Sequence, residues 1–121
     1  MTANKKNSAQ CKSRLRILVR GLIALGPGKV DLLESIGAEG SISKAARESK
    51  LSYRRAWNMV DTMNRCFKEP LVTSFTGGKG GGGAGLTPAG EKVIKLYRKM
   101  ENKANTAILP GWKTLQKLLL H

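Results

Sequence analysis

Residues 40–67, GSISKAARESKLSYRRAWNMVDTMNRCF, contain two helical segments with little room between them. Ser43 precedes the first segment and Ser52 precedes the second. A serine at such a position can accept a hydrogen bond from a free backbone N–H group of the first helical turn. The first segment is short and rich in small residues, which suits close approach by a neighbouring helix. Two capped helices with a tight joint predict a helix-turn-helix unit.

The second of these helices has an apolar face and a polar opening turn. Its apolar stripe is formed by Ala56, Val60, Met63 and Phe67. In a helix-turn-helix, the first turn of the second helix meets base edges in the major groove. We therefore expect DNA contacts from the polar residues of both helix starts, which are Ser43, Lys44, Ser52, Tyr53, Arg54, Arg55 and Asn58. Trp57, one turn after Tyr53, is expected to pack rather than to contact DNA.

The charge of the chain favours a polyanionic partner. Lys and Arg total 22 against 8 Asp and Glu, which gives a net charge of +14 and a pI near 10.3. Nucleic acid is the first candidate and an anionic membrane surface the second. The sequence has no apolar run of membrane-spanning length. Cytoplasmic, nucleoid-associated localisation is the expectation.

The sequence gives little support for a catalytic site or a metal site. Cys11 and Cys66 are isolated and the single histidine is His121, so neither a disulfide framework nor a zinc site has the required spacing. The carboxylates are scattered, and neither cysteine has a base nearby in sequence. We expect no enzyme activity, no cofactor and no metal.

Half of the glycines lie in one stretch, TSFTGGKGGGGAGLT at residues 73–87, which contains seven of the fourteen. A phosphate-binding P-loop is excluded because Lys79 is followed by glycine instead of Ser or Thr. A GxGxxG match at Gly78, Gly80 and Gly83 is weak, because repeated glycines produce it by chance. A plain linker fits poorly, since both flanks have the pattern of ordered elements. The stretch is therefore interpreted as the mobile tip of a hairpin wing, with Lys79 contacting a DNA phosphate.

The remaining segments surround this unit. Residues 1–13 are predicted to be a disordered basic arm. From Leu15 to Arg20, apolar and basic residues alternate, which predicts a half-exposed strand with a bulge at Gly21. A first helix should follow the turn at residues 26–28 and end near Gly37.

A last helix is predicted to begin after Thr87 at Pro88 and to end before Pro110 and Gly111. Its apolar stripe is longer than a core of this size needs, which favours a dimer seam. The seam residues are Val93, Leu96, Tyr97 and Met100. The expected fold is mainly α with a small β-hairpin: a winged helix-turn-helix over residues 14–87, a dimerisation helix over 88–108 and a short amphipathic tail over 109–121.

Three stretches, GSISKAARESKLSYRRAWNMVDTMN, TGGKGGGG and LTPAGEKVI, resemble the N-terminal domain of ModE-type molybdate-responsive transcriptional regulators, which is similar to LysR-type winged helices. The resemblance covers roughly residues 15–100. It implies that Ser52, Tyr53, Arg54, Arg55 and Asn58 face the DNA groove and that the helix from Pro88 pairs two subunits. Full-length regulators continue into a molybdate-binding module, whereas this sequence stops at His121, so no molybdate binding by this chain is expected.

Two functions from different classes fit these observations. The first is a sequence-specific transcriptional regulator that binds an inverted-repeat operator as a homodimer. The second is an architectural or RNA-binding basic protein that contacts only the nucleic-acid backbone. Tyr53, Arg54 and Asn58 together favour the first, because a backbone binder has little need of them on one helix start. A third, weaker idea is that the LQKLLL segment docks a partner protein.

Overall fold

The computed structural model describes residues 9–75 and 83–120. Within these ranges the chain forms two β-hairpins and four helices, which confirms the predicted mainly α winged-helix class. The elements in chain order are β1 (Ile17–Val19), β2 (Leu22–Leu25), α1 (Pro27–Glu39), α2 (Ile42–Glu48), α3 (Tyr53–Cys66), β3 (Val72–Phe75), β4 (Gly83–Leu86) and α4 (Pro88–Gln116). Lys79, His121 and most of the proposed basic arm lie outside the described residues.

The first strand has a partner that the sequence analysis missed. β1 pairs antiparallel with β2, and Val19 faces Leu22 across the turn. Arg20 and Gly21, with φ of 52° and 81°, form that two-residue turn, which matches the right-handed twist of the strands. The predicted bulge at Gly21 is therefore wrong, and the irregularity lies between Ile17 and Leu18. The predicted alternation is confirmed, with Ile17 half-buried and Leu18 exposed.

Helix α1 ends at Glu39, two residues later than predicted. Gly40, not Gly37, adopts the left-handed conformation at the end, with φ of 71°, and its N–H donates to the carbonyl of Ile36 at 2.8 Å. Gly37 lies inside the helix, where a Cβ atom would stand 2.8 Å from Leu86 Cδ1. This glycine thus serves close packing against β4 and not termination.

The helix-turn-helix is present, but one of its caps differs from the prediction. Ser41, not Ser43, precedes α2, and its Oγ accepts a hydrogen bond from the Lys44 N–H at 3.1 Å. Ser52 caps α3 as predicted, accepting from the Arg55 N–H at 3.0 Å. Between the helices Lys50 adopts φ of 58°, and the Leu51 N–H donates to the Ala46 carbonyl at 2.8 Å. This bond closes the tight joint.

The core lies between α1, α2 and α3 and is closed by β2, the β3–β4 hairpin and α4. Its largest fully buried side chains are Tyr97, Leu25, Leu32, Leu33, Ile36, Met63, Leu71 and Val30. The predicted stripe of α3 takes part, because Ala56, Val60 and Met63 are buried and Phe67 packs against them. The core therefore fixes α3 by its inner face and leaves its opening turn outside.

Helix α4 continues through Pro110 to Gln116, so the predicted end at residue 108 and the separate tail are wrong. Proline inside a helix removes a hydrogen bond to the residue four positions back, which is Thr106 here, and its ring crowds that turn. Thr106 is exposed, so water can hydrate the carbonyl that loses its partner. Thr114 Oγ1 also donates to the Pro110 carbonyl at 3.3 Å. Among the helices of the described ranges, none has the length and apolarity to cross a membrane.

Candidate nucleic-acid interface

The first turn of α3 presents its polar side chains to solvent. Tyr53, Arg54, Arg55 and Asn58 are all exposed, while Ala56 between them is fully buried. Within residues 9–75 and 83–120, neither Arg54 nor Arg55 forms an ion pair with a carboxylate. The two guanidinium groups are therefore available to an external acceptor.

Helix α2 supplies a second exposed turn beside the first. Ser43 and Lys44 point outward, whereas Ile42, Ala45 and Ala46 are buried against α1 and α3. Of the predicted contact residues, Ser43 of α2 and Tyr53 of α3 line one groove, whereas Arg55 lines a separate pocket with Asp31 and Glu48. Lys79, the remaining predicted contact, lies outside the described residues.

The base of the wing is attached to α3 by Asn64, a residue that the sequence analysis did not single out. Its Oδ1 accepts from the Leu71 N–H at 2.8 Å and the Val72 N–H at 3.2 Å, and its Nδ2 donates to the Val72 carbonyl at 3.0 Å. A polar residue four positions after Val60, on the same side of the helix as the predicted apolar stripe, was the available signal. This amide sets where the wing hairpin begins.

Close packing fixes the other strand of the wing. The Ala84 N–H donates to the Gly40 carbonyl at 2.9 Å, which joins β4 to the end of α1. At Gly83 a Cβ atom would lie 2.8 Å from Phe75 Cε2 and 2.9 Å from the Gly40 carbonyl oxygen. A side chain at this position would therefore clash with the Gly40 backbone and displace the ring of Phe75.

A groove of about 600 Å³ separates the helix-turn-helix from the wing. We call it the α2–wing groove, and it is lined by Ser41, Ile42, Ser43, Tyr53, Ser74, Phe75, Gly83 and Ala84. A smaller pocket of about 100 Å³ shares Ile42 and Ser74 with it and reaches Trp57. Trp57 is 48% exposed, so the expectation that it packs holds only for part of the ring.

A further cation lies near the start of α3. Partial burial lowers the pKa of Lys29, an effect opposed by Cys66 and reinforced by the positive charge of Arg55. Lys29 on α1 therefore lies close enough to Arg55 for their positive charges to interact. Among the described residues no group of His, Cys, Asp and Glu side chains could hold a metal ion.

One of the four residues predicted to form the dimer seam, Tyr97, lies in the core of the single chain. It is 1% exposed, and its hydroxyl donates to the Leu15 carbonyl at 2.8 Å. Burial raises the pKa of Tyr97, and nearby Glu101 adds to the shift. Tyr97 therefore belongs to the core of the single chain, and its place in the stripe is explained by the packing of α4. Val93 is half-buried, but Leu96 and Met100 are 50% and 46% exposed.

Arg98 attaches α4 to α1. Its guanidinium donates to Asp31 at 2.7 Å, to Glu34 at 2.7 Å and to Glu101 at 2.9 Å. The hydrogen bond to Glu34, followed by those to Asp31 and Glu101, raises the pKa of Arg98 despite its partial burial. The sequence offered only the Arg98–Glu101 spacing as a signal, because the two α1 carboxylates are remote in the chain.

No family model matches the chain, but individual relatives do. The molybdenum-pterin-binding protein MopB of Rhodobacter capsulatus is 52% identical over 85 residues, which cover 70% of this chain and 32% of MopB. The molybdenum transport protein ModE of Azotobacter vinelandii is 44% identical over 85 residues, again 70% of this chain and 32% of the relative. The DNA-binding transcriptional dual regulator ModE of Escherichia coli (strain K12) is 39% identical over 88 residues, which cover 73% of this chain and 34% of that protein. The match thus spans about a third of the length of these relatives.

Proposed function

We propose that this chain, whose matched region is the N-terminal DNA-binding region of the ModE-type regulators, is a sequence-specific DNA-binding transcriptional regulator. It acts as a homodimer on an inverted-repeat operator. Its working location is the cytoplasm, at the nucleoid.

The observation that carries this proposal is the exposed first turn of α3. A guanidinium can donate two hydrogen bonds to O6 and N7 of guanine, and an asparagine amide can pair with N6 and N7 of adenine. Arg54, Arg55 and Asn58 offer these groups from one helix start, held in place by the buried side of α3. The net charge of +14 supplies the general attraction to phosphate that accompanies such recognition.

The apolar residues left exposed on α4 support the homodimer. Leu96 and Met100 are 50% and 46% exposed and lie one turn apart on the same face of this 29-residue helix. A second copy of the same helix is the occupant we propose, because an isologous pair buries the same apolar residues on both subunits. Two recognition helices related by a two-fold axis would then read half-sites about 34–36 Å apart, or a multiple of that distance.

We further propose that this chain does not itself bind molybdate. An oxyanion site needs several donors that converge on a rigid frame. The matched region corresponds to only 32–34% of the length of the relatives.

Selection of bound fragments from random duplex DNA tests the main proposal. We expect enrichment of a palindromic sequence that binds at least about a thousandfold more tightly than random duplex at physiological salt. Binding to random duplex and duplex RNA with equal affinity, and with no enriched sequence, would overturn the proposal in favour of a backbone-binding basic protein.

A further inference from the structure

We propose that the α2–wing groove binds one deoxyribose-phosphate strand of the duplex through uncharged contacts, hydroxyl groups on the phosphates and aromatic rings on the sugars. This inference rests on the proposed function, because it assigns a DNA component to a surface beside the recognition turn. It adds a class of contact that the arginines and lysines do not provide. The occupant is a DNA strand and not a peptide or a second protein copy.

The hydrogen-bonding groups of the groove suit phosphate oxygens. Its lining includes four hydroxyl groups, from Ser41, Ser43, Ser74 and Tyr53. The Ser41 Oγ accepts from the Lys44 N–H, which leaves its own O–H free to donate. Serine and tyrosine hydroxyls commonly donate to DNA phosphates. The lining of the groove contains no carboxylate, and Asp61, which lines the adjoining smaller pocket, pairs with Arg65 at 3.3 Å.

The apolar groups of the groove suit a sugar. Phe75 and Tyr53 are 60% and 56% exposed, and Trp57 adjoins them through the smaller pocket. Exposed aromatic rings leave a large apolar area in water, and Phe75 and Tyr53 line the same groove. The C–H faces of deoxyribose can cover such rings, while the flanking phosphates reach the hydroxyls.

Position and charge point to the same occupant. Exposed Lys44 and Arg54 lie next in sequence to groove residues, so the groove is bordered by positive charge that complements a polyanionic strand. A recognition helix that enters the major groove has a sugar-phosphate strand beside it. The α2–wing groove is where this strand would pass.

The walls of the groove are fixed before any ligand arrives. Asn64 holds β3 on α3 through three hydrogen bonds, and the Ala84 N–H holds β4 on α1. A preformed site loses little conformational entropy on binding, so weak uncharged contacts can contribute measurable affinity.

The first experiment compares affinity and its salt dependence. Phe75→Ala, and the double variant Ser43→Ala with Ser74→Ala, should each weaken binding about five- to tenfold, equally on selected and random duplex. The slope of log K against log salt should stay unchanged, because no cation is lost. Matched controls are Leu118→Ala and Thr106→Ala, exposed residues outside the groove that should leave affinity unchanged. Thermal melting of each variant checks that the fold is intact.

The second experiment locates the contact on the DNA. Single methylphosphonate linkages, which are uncharged, are placed in turn along the selected site. At one or two positions per half-site, the methylphosphonate should weaken DNA binding by the native protein. The same substitution should not weaken DNA binding by the Ser43→Ala, Ser74→Ala variant. Equal sensitivity of both proteins at every linkage would overturn the inference. So would a groove variant that changes the oligomeric state in sedimentation while leaving DNA affinity intact, since that result identifies a protein occupant.

The outcomes separate this inference from the proposed function. If the native chain shows no sequence preference, the proposed function fails regardless of the groove. If the native chain binds its selected site and Arg54→Ala weakens that binding, but the groove variants bind normally, only the groove inference fails.

Discussion

At the scale of single residues, neighbouring side chains at the start of α3 have different roles. Ser52 satisfies a backbone N–H group, Ala56 is buried, and Arg54 and Arg55 carry charge into solvent with no carboxylate partner in the described part of the chain. Arg65, near the other end of α3, differs because it pairs with Asp61 at 3.3 Å. The same residue type therefore has two environments on one helix.

Replacing Arg54 or Arg55 by Ala should weaken binding to the selected site by about 1–3 kcal/mol and relax preference at one base pair, because a bidentate contact to guanine is lost. Competition assays against single-base variants of the site measure both effects. Arg65→Ala is the matched control and should change specific binding little. An equal loss on selected and random DNA would instead assign the arginine to a phosphate.

In contrast to these surface residues, Asn64 stabilises the fold through hydrogen bonds to the backbone of Leu71 and Val72. Replacing it by Ala should lower the free energy of unfolding by about 2–4 kcal/mol, because three hydrogen bonds are lost and two backbone N–H groups are left without their acceptor. Chemical denaturation measures the change. Asn102→Ala, an exposed position on α4, is the control. A loss no larger than that of the control would show that water replaces the amide.

At the scale of elements, sequence patterns located helices better than they located pairings and ends. The Ser52 cap and the Ala56–Met63 stripe are local signals, and α3 lies where they indicate. Strand β2, LIAL, is a short apolar run without alternation, so nothing local distinguishes it from a helix segment. Gly37 looked like a helix end because its role, contact with Leu86, depends on a residue far away in the chain.

In the candidate site too, features set by local sequence could be predicted, and features set by contacts between distant residues could not. The exposure of the α3 residues that we propose as DNA contacts could be predicted, because helical periodicity assigns them to the outer face. The α2–wing groove could not, because Phe75 and Tyr53 are separated in sequence and meet only when Asn64 and Gly40 anchor the wing. Likewise, periodicity put Tyr97 on the seam stripe, whereas the Leu15 carbonyl that it contacts comes from the other end of the chain.

Helix α4 offers a test of the proposed homodimer. Leu96→Glu combined with Met100→Glu should yield monomers in sedimentation, because two charges per chain would be buried at the seam. Both residues are half-exposed in the single chain, so the fold itself should tolerate the change. Asn102→Glu with Thr106→Glu, on exposed positions of the same helix, is the charge-matched control. A dimer that survives the first pair of substitutions would contradict the assignment.

At the scale of the whole molecule, the proposed absence of molybdate binding can be measured directly. Effector control requires a site whose affinity differs between two states of the protein. Calorimetry with molybdate and with tungstate should show no saturable binding to this chain, and operator affinity should be the same with and without either anion. Sulfate at equal ionic strength is the control for general anion effects. A tenfold change in operator affinity, about 1.4 kcal/mol of coupling, would overturn the proposal.

The length of α4 has a hydrodynamic consequence. Its 29 residues extend for about 43 Å, and among the described residues its hydrogen bonds to other elements reach only to Asn105, which accepts from Ser13. We therefore expect the last eleven residues of the helix, about 16 Å, to project from the core as a rod. The monomeric variant should show a radius of gyration in small-angle X-ray scattering above the roughly 14 Å of a compact chain of this length. Substituting Leu109 and Pro110 by Gly should bring that radius closer to the compact value, because the rod would lose its stiffness.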